Sequence, residues 1–393
     1  MRLGAIRYNF KKQHLAQGER RMNRRPTRSR SGYDSFSPAH AARFQAASPD
    51  THFFDSRRKK SLARRLLRLA VLLFLAALLG NFAANAFVFV ERVEVPVRGL
   101  TEAFDGYTIL HISDLKGALF GSGQLFLRFA LRDAQFDAVA MTGDMVSQLG
   151  NAEPLYALLD ALRELRPDAP VYFIAGDDDP VPASMGYAMG GSPFAPWVLG
   201  AQQRGATLLS APLSIERDGQ RIWYATSSQL SLDLDTMQRQ YELQYLDALD
   251  GGDENAIELA EYNLHFLEQT RTARAQMSDR DVIVTLTHVP PQAQELSSAG
   301  RRASQIDLVL CGHYLGGLIR LPLLGPVFIP SMGLDHYGLF PGEQAFSGLS
   351  YIGRTAVYAS RGLGSQDAHY PPFFFRLFNP PSVTLVTFAP SAL

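Results

Sequence analysis

The chain has 393 residues, 46% hydrophobic, 19% charged and 11% aromatic, which suits one large folded domain or two modest ones and excludes a wholly disordered or collagen-like protein. Its one cysteine, Cys311, rules out an intramolecular disulfide and a thiolate zinc cluster, so any metal must be held by Asp, Asn and His. A net charge of zero hides an asymmetry: residues 1–68 hold 18 Lys+Arg against 4 Asp+Glu, and the remainder 20 against 34.

Residues 1–65, rich in Arg, Ser, Gln and Pro, read as a disordered basic tail suited to anionic lipid heads; nucleic-acid binding is the weaker reading. From Leu69 to Val90 there is no charge for 22 positions. At 1.5 Å per residue that is roughly 33 Å of helix, enough for a hydrocarbon core of about 30 Å, so a transmembrane anchor is expected over 66–90. Arg57, Arg58, Lys59, Lys60, Arg64, Arg65 and Arg68 precede it, and the positive-inside rule then predicts a single-pass protein, N-terminus in the cytoplasm and residues 91–393 outside. Ala84-Asn85-Ala86 also fits a signal-peptide cleavage pattern, but a basic region of nearly 70 residues is too long for one unless translation starts later, at Met22 for example.

Beyond Val93, short apolar runs end in polar clusters: Tyr107 to Asp114, Ala138 to Asp144, Val171 to Asp177, Val282 to His288 and Ile306 to His313. Without alternation, such runs predict strands buried on both faces, and helix-like stretches at 123–134 and 153–165 make the pattern βαβ. Ligands in such sheets bind beyond the carboxyl ends of the strands, where Asp114, Asp144, Asp177, His288 and His313 all fall. A polar stretch at 230–280, broken at Gly251-Gly252, predicts an inserted helical hairpin, packed on the rim or acting as a lid or protein-partner surface. His111, inside the first run, reads as a packed core residue; His336 and His369 read as loop residues, and Phe373-Phe374-Phe375 as core or edge packing.

The order Ser-Asp, Gly-Asp, Gly-Asp-Asp-Asp, Thr-His and Gly-His at strand ends resembles the calcineurin-like metallophosphoesterases, and most of all their membrane-anchored bacterial branch. The resemblance covers about residues 93–389, with Gly316-Gly317, Ser360 to Gly364 and Arg376 to Pro381 similar to the family's closing segments. It implies an α/β fold, a β-sandwich flanked by helices, and phosphoester chemistry with a phosphoester ligand. Family members carry Asp-x-His, Gly-Asp, Gly-Asn-His, a later His and Gly-His-x-His. Carried onto this chain, the first metal's ligands become Asp114, Lys116, Asp144 and Leu315; an ammonium and an alkyl group donate no lone pair, so that site is expected to be lost. The second metal's ligands become Asp144, Asp177, His288 and His313, a set still able to hold one Mn, Fe, Zn or Mg ion. The family's transition-state histidine is Asp178 here, and Asp177, Asp178 and Asp179 would place up to three carboxylates where a phosphate should sit. Lys116 is the expected compensation, paired with Asp114 or Asp144, and with Asp178 is the candidate catalytic pair. Two functions are consistent with these residues: a phosphoester hydrolase with an altered, at most one-metal site, or an inactive domain that binds a ligand or partner.

Overall fold

The protein is described by a computed structural model covering residues 51–146, 150–188, 192–293, 296, 305–321, 324–329, 346–365 and 376–391. His336, His369 and Phe373 to Phe375 lie outside the described residues. The chain divides after Leu66, and the larger unit, Leu67–Leu393, holds every strand.

Helix α1 (Thr51–Ala86) leads into β1 (Phe89–Val97). Its segment Ser61–Ala86 is, among the described residues, the one helix long and apolar enough to cross a membrane. Both ends differ from the sequence expectation: residues 51–65 are helical, not part of a disordered tail, and 89–90 already belong to a strand. The absence of charge from Leu69 to Val90 marks hydrophobicity, not helix, and Phe87-Val88-Phe89-Val90 is a β-favouring run whose last two residues pair with β14.

The first half of the domain alternates strand and helix: β2 (Thr108–Ile112), α2 (Leu125–Leu131), β3 (Ala138–Thr142), α3 (Glu153–Leu165), β4 (Val171–Ile174), α4 (Met185–Ala188), α5 (Pro196–Gln203) and β5 (Ala206–Leu208). Then come β6 (Leu213–Arg217), β7 (Gln220–Thr226), α6 (Ser227–Ser231), α7 (Leu234–Gly251), α8 (Glu254–Gln276), β8 (Val282–Leu286) and β9 (Leu308–Cys311). The chain closes with β10 (Ile319–Leu321), β11 (Gly325–Phe328), β12 (Gly348–Ile352), β13 (Thr355–Ala359) and β14 (Ser382–Pro390). Two six-stranded sheets result, ordered β1-β14-β2-β3-β4-β5 and β12-β13-β9-β8-β7-β6.

The sheets face one another. Ile109, Ala138, Ala140 and Ile174 of the first meet Tyr224, Val284, Leu308, Leu310 and Tyr358 of the second in one buried cluster. Their strand neighbours Leu110, Val139, Met141 and Phe173 point the other way, into a layer with Leu127, Leu158 and Trp197 of the helices. Burial on both faces is the physical reason the runs show no alternation. His111 is buried, with Nε2 2.9 Å from Thr142 Oγ1, and burial pushes its pKa down to about 3, as suits a neutral core histidine.

Register fixes which strand ends share an edge. Glu91, Thr384, His111, Ala140 and Tyr172 form one row across the first sheet. Because β1 runs parallel to β14 and β14 antiparallel to β2, the start of β1 lies at the edge where β2, β3 and β4 end. Helix α1 is tied to that edge: Asn81 and Asn85 donate to the Arg376 carbonyl at 2.8 and 2.7 Å, and Phe378 N–H donates to Asn81 Oδ1 at 2.7 Å. Next along, buried Asn379 donates through Nδ2 to the carbonyls of Leu315 and Gly317, both at 2.7 Å.

In the 230–280 region, Asp233 and Asp253 cap the starts of α7 and α8 by accepting backbone N–H groups, and Gly252, at φ 65°, makes the left-handed turn between them. Tyr262 of α8 holds the pair to the domain through Ser210 Oγ at 3.0 Å and the Phe194 ring.

Asn379→Ala strands two buried carbonyls, so it is expected to cost about 2–3 kcal/mol in denaturant unfolding, with the midpoint shifted and the slope unchanged.

Candidate metal centre

Asp114, Asp144, His288 and His313 each sit two residues past the last residue of β2, β3, β8 and β9, and Asp177 lies three past the end of β4. Strands of equal reach therefore deliver their polar ends to one edge of the sandwich. The bends are tight: Asp114, Lys116, Asp144, His313 and Leu315 hold φ of 53°, 48°, 54°, 72° and 54°, in the left-handed region costly for side chains. Backbone bonds between the loops hold them there, from Asp114 N to Gly143 O (3.0 Å), Lys116 N to Asp144 O (2.8 Å) and Gly364 N to Asp114 O (2.6 Å). A Cβ on Gly176 would lie 2.2 Å from Asp144 Oδ1, and one on Gly312 1.8 Å from Ser113 Oγ, so these two glycines let the loops touch back to back.

Lys116 lies at the centre of the charge distribution. Its Nζ is 2.5 Å from Asp144 Oδ2 and 2.7 Å from Asp178 Oδ2, with little of the side chain exposed. Burial disfavours the ammonium, but Asp114, Asp144 and the hydrogen bonds to Asp144 and Asp178 outweigh it, and the pKa lies above the ordinary lysine value. Burial likewise opposes the Asp144 carboxylate, yet His288 and Lys116 hold it well below the usual carboxylate range. The second partner of Lys116 is thus Asp178, not Asp114, whose Oδ2 accepts Ser113 Oγ–H at 2.6 Å and His313 N–H at 3.1 Å.

Donor atoms of Asp177, His288 and His313 lie within 4.8 Å of one another, as do those of Asp114, Asp144 and His288. His288 Nδ1 faces the Thr142 carbonyl at 2.8 Å; donation there leaves the Nε2 lone pair for the cluster. Nε2 is 3.0 Å from Asp144 Oδ2 but out of hydrogen-bond alignment with any group, and Asp114 Oδ1 is a second buried atom with no hydrogen bond. Burial depresses the His288 imidazolium, Asp144 and Asp114 more than reverse this, and the ring's pKa is pushed up to about 9. Such an environment favours a positive charge, a proton or a cation. His313 lies with Nδ1 3.4 Å from Asp177 Oδ2, and burial together with the nearby His288 lowers its pKa. Oxygen and imidazole donors left without hydrogen bonds fit a divalent cation. The neighbouring position does not: Lys116 occupies it with an ammonium, and Leu315 is buried alkyl.

Asp179 departs from the sequence expectation. It turns away from the cleft, Oδ1 accepting Val146 N–H at 2.7 Å and Oδ2 Gly176 N–H at 2.9 Å, and burial raises its pKa to about 6. It is a brace for the β4 loop, which leaves Asp177 and Asp178 as the carboxylates at the cleft. Sequence reading missed Thr142 and Ser113 as well, because a backbone carbonyl and a lone hydroxyl carry no motif. A separate cavity of about 660 Å³, lined by Arg98, Asp281, Asp307 and Arg354 among others, opens where β8 begins, away from the strand ends that carry the cluster.

A family model of the calcineurin-like phosphoesterases matches residues 107–316, more than half of the sequence. The chain belongs to the calcineurin-like phosphoesterase family. The match begins one residue before β2 and runs just past the His313 loop, so it contains every residue of the cluster. Among curated relatives, the uncharacterized metallophosphoesterase YkuE of Bacillus subtilis is 31% identical over 90 residues, 23% of this chain and 27% of that protein. The phosphodiesterase YaeI of Escherichia coli is 37% identical over 59 residues, 15% of this chain and 18% of that protein. These two matches thus span about a quarter or less of the relatives' lengths. The uncharacterized metallophosphoesterase YkoQ of Bacillus subtilis is 23% identical over 299 residues, 76% of this chain and 92% of that protein.

Lys116→Ala removes the shared partner of two carboxylates and is expected to destabilise the metal-free chain by about 3 kcal/mol. Added Mn should raise the thermal midpoint of this variant more than that of the wild type, because the cation supplies the charge that was lost.

Proposed function

We propose that this is a membrane-anchored phosphoester hydrolase whose centre holds one divalent cation, through Asp144, Asp177, His288 and His313, beside a lysine that replaces the second. The observation that carries the reading is the convergence of Asp177, His288 and His313 donors within 4.8 Å, with His288 oriented by the Thr142 carbonyl. When bound, the cation supplies Lewis-acid polarisation of a phosphoryl oxygen. The chain's own groups bind and orient the phosphate: Lys116 offers a fixed positive charge to another phosphoryl oxygen, and Asp178 holds its ammonium in place at 2.7 Å. The helix Ser61–Ala86 supports anchoring, with the basic residues before it towards the cytoplasm and the domain outside.

A second reading rests on the same ion pairs. With two carboxylates already engaged by Lys116, and Asp178 where the resemblance calls for histidine, the cleft suits a domain that binds a phosphate-bearing ligand or partner without turnover.

Elemental mass spectrometry of the full chain, after incubation with Mn, Fe, Zn and Mg, separates the two. About one ion per chain, lost in His313→Ala, is expected for the hydrolase reading; no bound metal would sink it. The double variant Lys116→His with Leu315→His restores both missing donors and should raise the stoichiometry towards two, if the loops keep their positions.

A further inference from the structure

The structure joins three features that bear on the substrate. The first is the register: β1 begins at the same edge where β2, β3 and β4 end, and α1 finishes at Ala86, three residues before β1. The strand ends that carry Asp114 and Asp144 therefore lie at the edge from which the membrane-length helix leaves, and β1 is separated from β2 by β14 alone. Two strand spacings, about 10 Å, span that gap.

The second is an exposed apolar ridge on that edge. Leu119, Leu125 and Phe129 are 58%, 56% and 60% exposed, and Phe87 and Phe378 are also exposed. Leu125 and Phe129 share a face of α2. The helix lies against the α1 exit, where the Phe87 and Phe126 rings meet at 4.9 Å. Arg132 covers the Phe129 ring at 4.5 Å, an aliphatic stem with a charged tip of the kind that sits among lipid head groups. A ridge continuous with a helix of bilayer length has the bilayer as its natural cover.

The third is a groove of about 320 Å³ between that helix and the site. Phe82 and Ala86 of the helix, Ala118 and Leu119 of the loop after β2, and Gly364 line it. Gly364 N–H donates to the Asp114 carbonyl at 2.6 Å, and Lys116 is two residues from Ala118, at most about 7 Å of chain. The groove thus lies between the apolar helix and the loops that carry Asp114 and Lys116.

From this we propose that the ligand is a phosphate ester carried on a membrane amphiphile, its hydrocarbon chain in the Phe82–Leu119 groove and its phosphate at the Lys116 edge of the cluster. The ridge of Leu119, Leu125 and Phe129 lies in the interfacial layer of the same leaflet. This deepens the anchored-phosphoesterase reading and rests on its membrane helix, but not on turnover.

The test uses the full chain in phosphatidylcholine vesicles. Leu119→Trp reports depth against Leu243→Trp on exposed α7, with native Trp197 and Trp223 buried and so shielded from both quenchers, their constant emission subtracted with the wild-type chain. Brominated phosphatidylcholine should quench Trp at 119 and not at 243; equal quenching of both by aqueous iodide, with none by the brominated lipid, would overturn the inference. A second arm photolabels the chain with trace phosphatidic acid bearing a diazirine on its acyl chain. Label is expected on 118–121 and 363–365, displaced by phosphatidic acid and not by glycerol 3-phosphate. With the matching diacylglycerol probe it should fall about tenfold, the factor of one charge-assisted hydrogen bond. Label equal with diacylglycerol, or displaced by glycerol 3-phosphate, rejects the amphiphile as ligand. Neither arm reads hydrolysis, so both remain decisive for a chain that takes up no metal and turns nothing over.

Discussion

The geometry of the cleft depends on one problem of charge. Four carboxylates, those of Asp114, Asp144, Asp177 and Asp178, and two imidazoles are held at one edge by loops hydrogen-bonded backbone to backbone, which Gly176 and Gly312 allow to approach closely. Like charges in so dry a place demand a cation. Lys116 meets part of that demand from within the chain, with two short ion pairs, and does so permanently, where a metal ion comes and goes. What is left uncompensated lies on the side of His288, Asp177 and His313. The centre is therefore lopsided: a fixed ammonium on one flank, an adjustable set of oxygen and nitrogen donors on the other. On the proposed reading, a phosphoryl group approaching it would meet a charge that cannot be exchanged or chelated beside one that can.

Much of the fold was legible in the residues. Five apolar runs without alternation become the central strands, since each is buried on both faces, and the polar residues that end them mark the carboxyl edge. Periodicity could not show where hydrophobicity stops meaning membrane. Phe89 and Val90 satisfy the expected anchor's composition but are claimed by β14 as a pairing partner, a long-range fact with no local signal. The same holds for residues 51–65, whose basic composition suggests solvation although their backbone continues the helix.

At the site, residue types identified the donors but not their directions. Asp177, Asp178 and Asp179 are indistinguishable in sequence; in the fold one faces His313, one binds Lys116 and one turns inward to hold Val146 and Gly176. Side-chain direction in a turn follows φ and ψ, and those are set by neighbouring loops. Asp114 shows this from the other side: of the two partners expected for Lys116 the ion pair goes to Asp144, and Asp114 instead accepts the His313 amide nearly two hundred residues away. The glycine before Asp144 and the one before Asp177 were the available clue: a paired Gly-Asp at two strand ends signals that the two loops must meet.

The Asn81–Phe378 contact, with Asn379 next in line gripping the Leu315 and Gly317 carbonyls, makes a short mechanical path. Two hydrogen-bonded steps separate the end of the apolar helix from the loop that carries His313. In the proposed anchored state, a helix tilting to suit a thinner or thicker bilayer would shift Asn81, and the shift would have little compliant chain in which to dissipate. On the anchored reading proposed above, bilayer thickness is thereby a coordinate of the cleft.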